Sequence, residues 1–171
     1  MRAIDQLLVD EVWREMTSYP PGRQENEARE FLERQPHVAT FCQVVTTEFD
    51  PTVQKAALGL TFLLFKILEA SLGGPFPPVA EHRIREAYET TTEWLEQWEG
   101  ADPRIFLRHV QGGGALPQPN LIQYLLAAFY GGDPASVDYD QEVKASLFLL
   151  LKTLADALDI GEVEPGERGQ R

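Results

Sequence analysis

The sequence predicts an all-α fold, a helical bundle of about eight helices, and three observations predict it. Apolar residues recur at intervals of three and four through most of the chain, the spacing that gathers them on one face of a helix. No segment alternates polar and apolar residues for long enough to argue for a strand. Two stretches, residues 51–72 and 139–159, are apolar almost all round, and a helix of that kind has to be surrounded by others.

Residues 2–17 are predicted helical, with Ile4, Leu8, Val9, Val12 and Met16 on one side and Asp10, Glu11 and Arg14 on another. The run Tyr19-Pro20-Pro21-Gly22 ends that helix. Residues 24–35 are rich in helix formers, and Pro36 stops or kinks them before a further helix over 38–48, because proline lacks the amide donor and clashes with the preceding turn. Asp50 before Pro51 is a start signal. A carboxylate caps the free amides there, and proline's missing N–H costs nothing at the first helical position. In the helix over 51–72, Lys55, Lys66 and Glu69 form a narrow polar strip among leucines and phenylalanines. Gly59 lowers its stability by about 1 kcal/mol relative to alanine, which predicts that another backbone approaches closely there. Gly73-Gly74-Pro75 terminates it, and residues 75–78 form a stiff connector.

Residues 79–99 are helical again, with Ile84, Ala87, Tyr88, Thr91, Trp94, Leu95 and Trp98 on one face and an acidic face opposite. Gly100 ends this helix, and Asp102-Pro103 starts a short one running to about residue 110. Residues 112–114 with Pro117 and Pro119 form a loop, residues 120–130 resume a helix, and residues 139–159 form the last and second fully apolar one. Residues 160–171 are glycine-rich and charged, the composition of a flexible tail.

The second half faintly echoes the first in preserved order. Trp13-Arg14-Glu15 is answered by Trp94-Leu95-Glu96, Arg29-Glu30-Phe31-Leu32 by Arg104-Ile105-Phe106-Leu107, Pro36-His37-Val38 by Pro119-Asn120-Leu121, and Asp50-Pro51 by Asp133-Pro134. An internal repeat reorganises the reading of a whole fold. It predicts a single domain over 1–159 made of two similar four-helix halves, 2–72 and 79–159, packed around the two long buried helices.

Composition narrows the function. At 171 residues the chain is long enough to build a real core, since one of this size buries about 70% of its unfolded surface. The hydrophobic fraction of 43% and charged fraction of 25% are ordinary globular values and argue against a disordered chain. A net charge of -12, with basic residues scattered, repels phosphate backbones, so neither nucleic acid nor an anionic membrane is an expected partner. Cys42 is the one cysteine and cannot form an internal disulfide, which points to a reducing, cytoplasmic location. The first residues carry Asp5, Asp10 and Glu11, unlike an export signal.

Candidate chemistry is sparse. His82, Glu86, Glu89 and Glu93 share one helical face and form the candidate metal stripe. Helical bundles, however, usually bind metal through Glu-x-x-His pairs drawn from several helices, and no such pair occurs. A solvated face is the preferred reading. His37 and Cys42, with His82 or His109, match no zinc motif or activated thiol, and a buried structural Cys42 is expected. Lys66 and Lys152 follow apolar runs; both are expected to lay their stems on apolar neighbours and hold their charges in water, partnered by Glu69 and Asp156. Gly112-Gly113-Gly114 lacks the lysine and hydroxyl of a phosphate loop. Trp94 and Trp98 sit among core positions; where they are partly exposed they become the partner-binding site, because tryptophan dominates binding hot spots.

The expected function is a cytoplasmic helical protein-binding or scaffolding domain without catalytic residues or cofactor, its partner a protein, basic in character, or a second copy of the chain. The alternative is a helical protein, an enzyme among the options, that holds a metal or small ligand between its halves.

Overall fold

The computed structural model describes residues 4–101, 105, 121 and 141–158. They form six helices and, among the described residues, no strand: α1 (Gln6–Thr17), α2 (Arg23–Arg34), α3 (Pro36–Thr46), α4 (Pro51–Leu72), α5 (Glu81–Glu96) and α6 (Gln141–Leu158). The all-helical prediction holds. Of the eight expected helices, those over 102–110 and 120–130 lie outside the described residues apart from Ile105 and Leu121, as do the loop over 112–114 and the tail.

Local chemistry sets the helix ends. Asp5 caps α1 by accepting from the Leu7 amide at 3.0 Å, so α1 begins at Gln6 and not at residue 2. Pro36 stops α2 and does not kink it; Gln35 leaves helical geometry and Pro36 becomes the first residue of α3, two residues earlier than the spacing predicts. Asp50 accepts from the amides of Thr52 at 2.8 Å and Val53 at 3.1 Å, as the Asp-Pro signal predicts. Gly73 closes α4 with a φ of 73°, the left-handed conformation that glycine adopts without strain. α5 runs from Glu81 to Glu96, shorter at both ends than the predicted 79–99.

The core is built around α4 and α6. Between residues 61 and 68 of α4 every side chain except Lys66 is buried, because α1, α2, α3 and α6 all pack on that helix. Phe31, the buried residue of α2, places its ring 4.6 Å from Phe65 and 5.9 Å from Phe62, and such tilted aromatic pairs add about 0.5–1.5 kcal/mol each beyond the area they bury. In α6, Leu147, Leu150, Leu154 and Leu158 are fully buried. The two apolar helices touch, and α3 bridges α4, α5 and α6.

Gly59 departs from expectation. A Cβ built on it meets no heavy atom within 4 Å, so no backbone packs closely there. The open space leaves its helix penalty without a packing benefit.

The connector between α4 and α5 is fastened from outside. Gln35 is buried; its Nε2 donates to the carbonyls of Phe76 at 3.1 Å and Pro77 at 3.0 Å, and its Oε1 accepts from the Val79 amide at 2.9 Å. Glu69 Oε1 accepts from the Phe76 amide at 3.0 Å and from Arg34 at 2.9 Å. Phe76 is buried edge-on against Phe65 at 5.9 Å. The proline-rich segment is thereby a docked strap across α2 and α4.

Candidate functional site

α5 packs more extensively on α6 than any other described pair of helices do on each other. Thr91 and Trp94, three residues apart, share a face of α5, while Phe148, Lys152 and Asp156, spaced by four, share a face of α6. The Trp94 ring lies over the α6 row, its centroid 6.1 Å from that of Phe148 and 5.2 Å from Lys152 Nζ. Lys152 Nζ is 2.6 Å from Asp156 Oδ2, and Thr91 Oγ1 donates to the same oxygen at 3.4 Å.

This geometry corrects the expectation for Lys152. Its side chain does not reach out to water: the residue is 4% exposed. A carboxylate one turn further along the helix and an aromatic face above it replace the water that the ammonium gives up. Asp156 is its partner as expected. Thr153, beside Lys152, is also buried, and its hydroxyl finds no hydrogen-bond partner among the described residues.

Lys66 behaves differently. Its ammonium is partly exposed and pairs with Glu27 at 3.3 Å, whereas the expected partner Glu69 is taken by Arg34 and Phe76. Glu27 also accepts from Arg23 Nε at 2.8 Å and from the Tyr19 hydroxyl at 3.1 Å, and Arg23 stacks on the Tyr19 ring at 3.9 Å. Burial pushes the Glu27 carboxyl upward, but hydrogen bonds from Arg23 and Lys66 outweigh it and hold the carboxyl below its ordinary value. Burial pulls the Lys66 ammonium downward, and the Tyr19 and Glu27 groups beside it raise it on balance. Tyr19 is raised, chiefly by burial.

Trp94 and Trp98 are in contact, their ring centroids 6.2 Å apart, and both are half-buried, neither sealed in the core nor standing free. On the opposite face of α5 the side chains of His82, Glu86, Glu89 and Glu93 are all exposed. Among the described residues no group of three or more His, Cys, Asp or Glu converges to hold a metal ion. His37 is exposed at the start of α3, while Cys42 is fully buried beside Thr61, and burial pushes its thiol pKa up. That environment makes an inert thiol. Trp13 is exposed on α1. His109 lies outside the described residues.

Sequence reasoning missed Gln35, Thr91 as a partner of Asp156, and the Tyr19–Glu27–Lys66 cluster. Only Gln35 carried a signal: a polar residue immediately before a helix-breaking proline, where the chain leaves helical geometry and a side chain can turn inward. No described helix is long and apolar enough to cross a membrane. Comparison with protein-family models, with curated proteins and with solved structures finds no match to this chain.

Proposed function

We propose that the chain is a cytoplasmic helical protein-binding domain with no catalytic residues of its own, and that it receives a basic segment of a partner protein along the Trp94–Trp98 edge of α5. The observation that carries this reading is the contact between two half-buried tryptophans, Trp94 in the last turn of α5 and Trp98 just past its end, with Glu86, Glu89, Glu93 and Glu96 of the helix and Glu99 of the following turn all exposed. An arginine or lysine side chain laid there gains cation–π attraction from an indole, and the glutamates on the rest of the helix surface add a longer-range attraction through water. Rigid aromatic rings give up little conformational entropy on binding, which is why they anchor interfaces.

The chain's net charge of -12 supports a basic partner and disfavours one rich in phosphate. The ordered echo between residues 2–72 and 79–159 supports reading the domain as two related halves around α4 and α6. Titration of the protein with a short arginine- and lysine-rich peptide, followed by tryptophan fluorescence, tests the proposal. Saturable quenching that is lost in Trp98→Ala supports it. An unchanged signal, with affinity capture from lysate recovering no specific protein across several salt conditions, refutes it.

A further inference from the structure

The strap between α4 and α5 is held by side chains of other elements. Pro75, Pro77 and Pro78 have no amide hydrogen to donate, so Phe76 and Val79 supply the amide donors of residues 75–79. Both end on side chains, Glu69 Oε1 and Gln35 Oε1, and the two amide hydrogens of Gln35 return to the carbonyls of Phe76 and Pro77. Gln35 is 1% exposed, and its bonds to the Phe76 carbonyl and the Val79 amide are buried, where losing them costs most; the Pro77 and Glu69 bonds are part-buried. Beyond the strap, α5 packs far more extensively on α6 than either does on α3 or α4. The α5–α6 pair is thus a unit that leans on the first four helices and is tied to them by a short, stiff tether.

We propose that Gln35 and Glu69 form a latch that keeps the chain a closed monomer, and that releasing it lets the α5–α6 unit exchange onto α3 and α4 of a second copy. Exchange remakes the same contacts between chains, so the closed and exchanged forms differ mainly in the strap and in the cost of association. An unlatched segment with three prolines favours extended backbone, which carries α5 away from its own α4. The net charge of -12 opposes bringing two copies together, and raised salt relieves that opposition.

The test is the molar mass of Gln35→Ala by light scattering over a concentration series at raised salt, with helical content followed by circular dichroism. The expected result is a doubling of mass with helicity retained, reversed when a flexible glycine-serine insertion after Gly74 lengthens the strap, because a longer hinge lets the unit fold back on its own chain. A variant that stays monomeric at every concentration overturns the proposal. So does a dimer that survives the lengthened strap, since that is ordinary surface association. Should Gln35→Ala lose its helical signal, Gln35→Met, which fills the same space without the three hydrogen bonds to the strap, is read by the same two criteria, and a monomer there overturns the exchange.

Discussion

Lys152 and Asp156 lie one turn apart on α6 with Nζ and Oδ2 separated by 2.6 Å, and the lysine side chain is 5% exposed against 19% for the aspartate. That asymmetry sets the order of two mutational effects. Asp156→Ala strands a buried ammonium, a loss in the range of about 3–5 kcal/mol for a broken buried pair. Lys152→Met leaves a carboxylate that still reaches some water and still accepts from Thr91, so its cost falls below that range. Replacing both by apolar residues of similar size recovers most of the loss, because the desolvation of two charges disappears along with their attraction. Urea unfolding midpoints check the order, and equal losses for the two single variants would contradict the assigned geometry.

Gly59→Ala is expected to stabilise the protein by about 1 kcal/mol, the helix-propensity difference between the two residues. The added methyl has room, with nothing within 4 Å of a Cβ there. Gly73→Ala acts in the opposite direction by a similar amount, because a φ of 73° strains any residue that carries a Cβ. Thermal denaturation of the two variants side by side separates a tolerated glycine from a required one.

The outline of this fold was legible because its signals are local. Asp50-Pro51, the Gly73-Gly74 stop and the three-and-four spacing act within a few residues, and each lies where the helices begin, end or bury a face. Gly59 misled because a glycine in a helix has two explanations, a close neighbour or mere tolerance, and only the position of the surrounding atoms separates them. Lys152 misled for a related reason. A lysine after an apolar run reaches water unless a carboxylate and an aromatic ring converge on it, and Trp94 arrives from a different helix. Long-range convergence of this kind, like the Gln35 latch 41 residues away from Phe76 in sequence, has no local pattern to announce it.

The Tyr19–Glu27–Lys66 cluster predicts a bounded pH response. Glu27 is held below its ordinary value, so its contribution to stability is present above the unfolded value of about 4.3 and is lost as pH falls through the lower folded one. Lys66 is raised, so its contribution is present below about 10.4 and is lost as pH rises through the higher folded value. The thermal midpoint difference between the native protein and Glu27→Gln is therefore expected to be flat across the neutral range and to narrow below about pH 4.3. A difference that persists unchanged in acid would show that the carboxylate charge contributes nothing.

The acidic tryptophan edge predicts that salt and aromatic truncation act on binding in separable ways. The exposed glutamates of α5 attract a basic peptide through water, so raising salt above the physiological range, where the screening length is about 8 Å, is expected to weaken binding progressively. Trp98→Ala removes a ring that salt does not screen, and a hot-spot tryptophan costs about 2 kcal/mol or more on truncation, roughly a thirtyfold loss of affinity. Glu93→Gln removes one exposed charge and is expected to cost well under 1 kcal/mol while flattening the salt dependence. Peptide titrations of the three proteins at low and high salt give the check. Because the indole term persists when the charges are screened, the ratio of native to Trp98→Ala affinity is expected to stay nearly constant between the two salt concentrations, and a ratio that collapses toward one at high salt would assign the binding to charge alone.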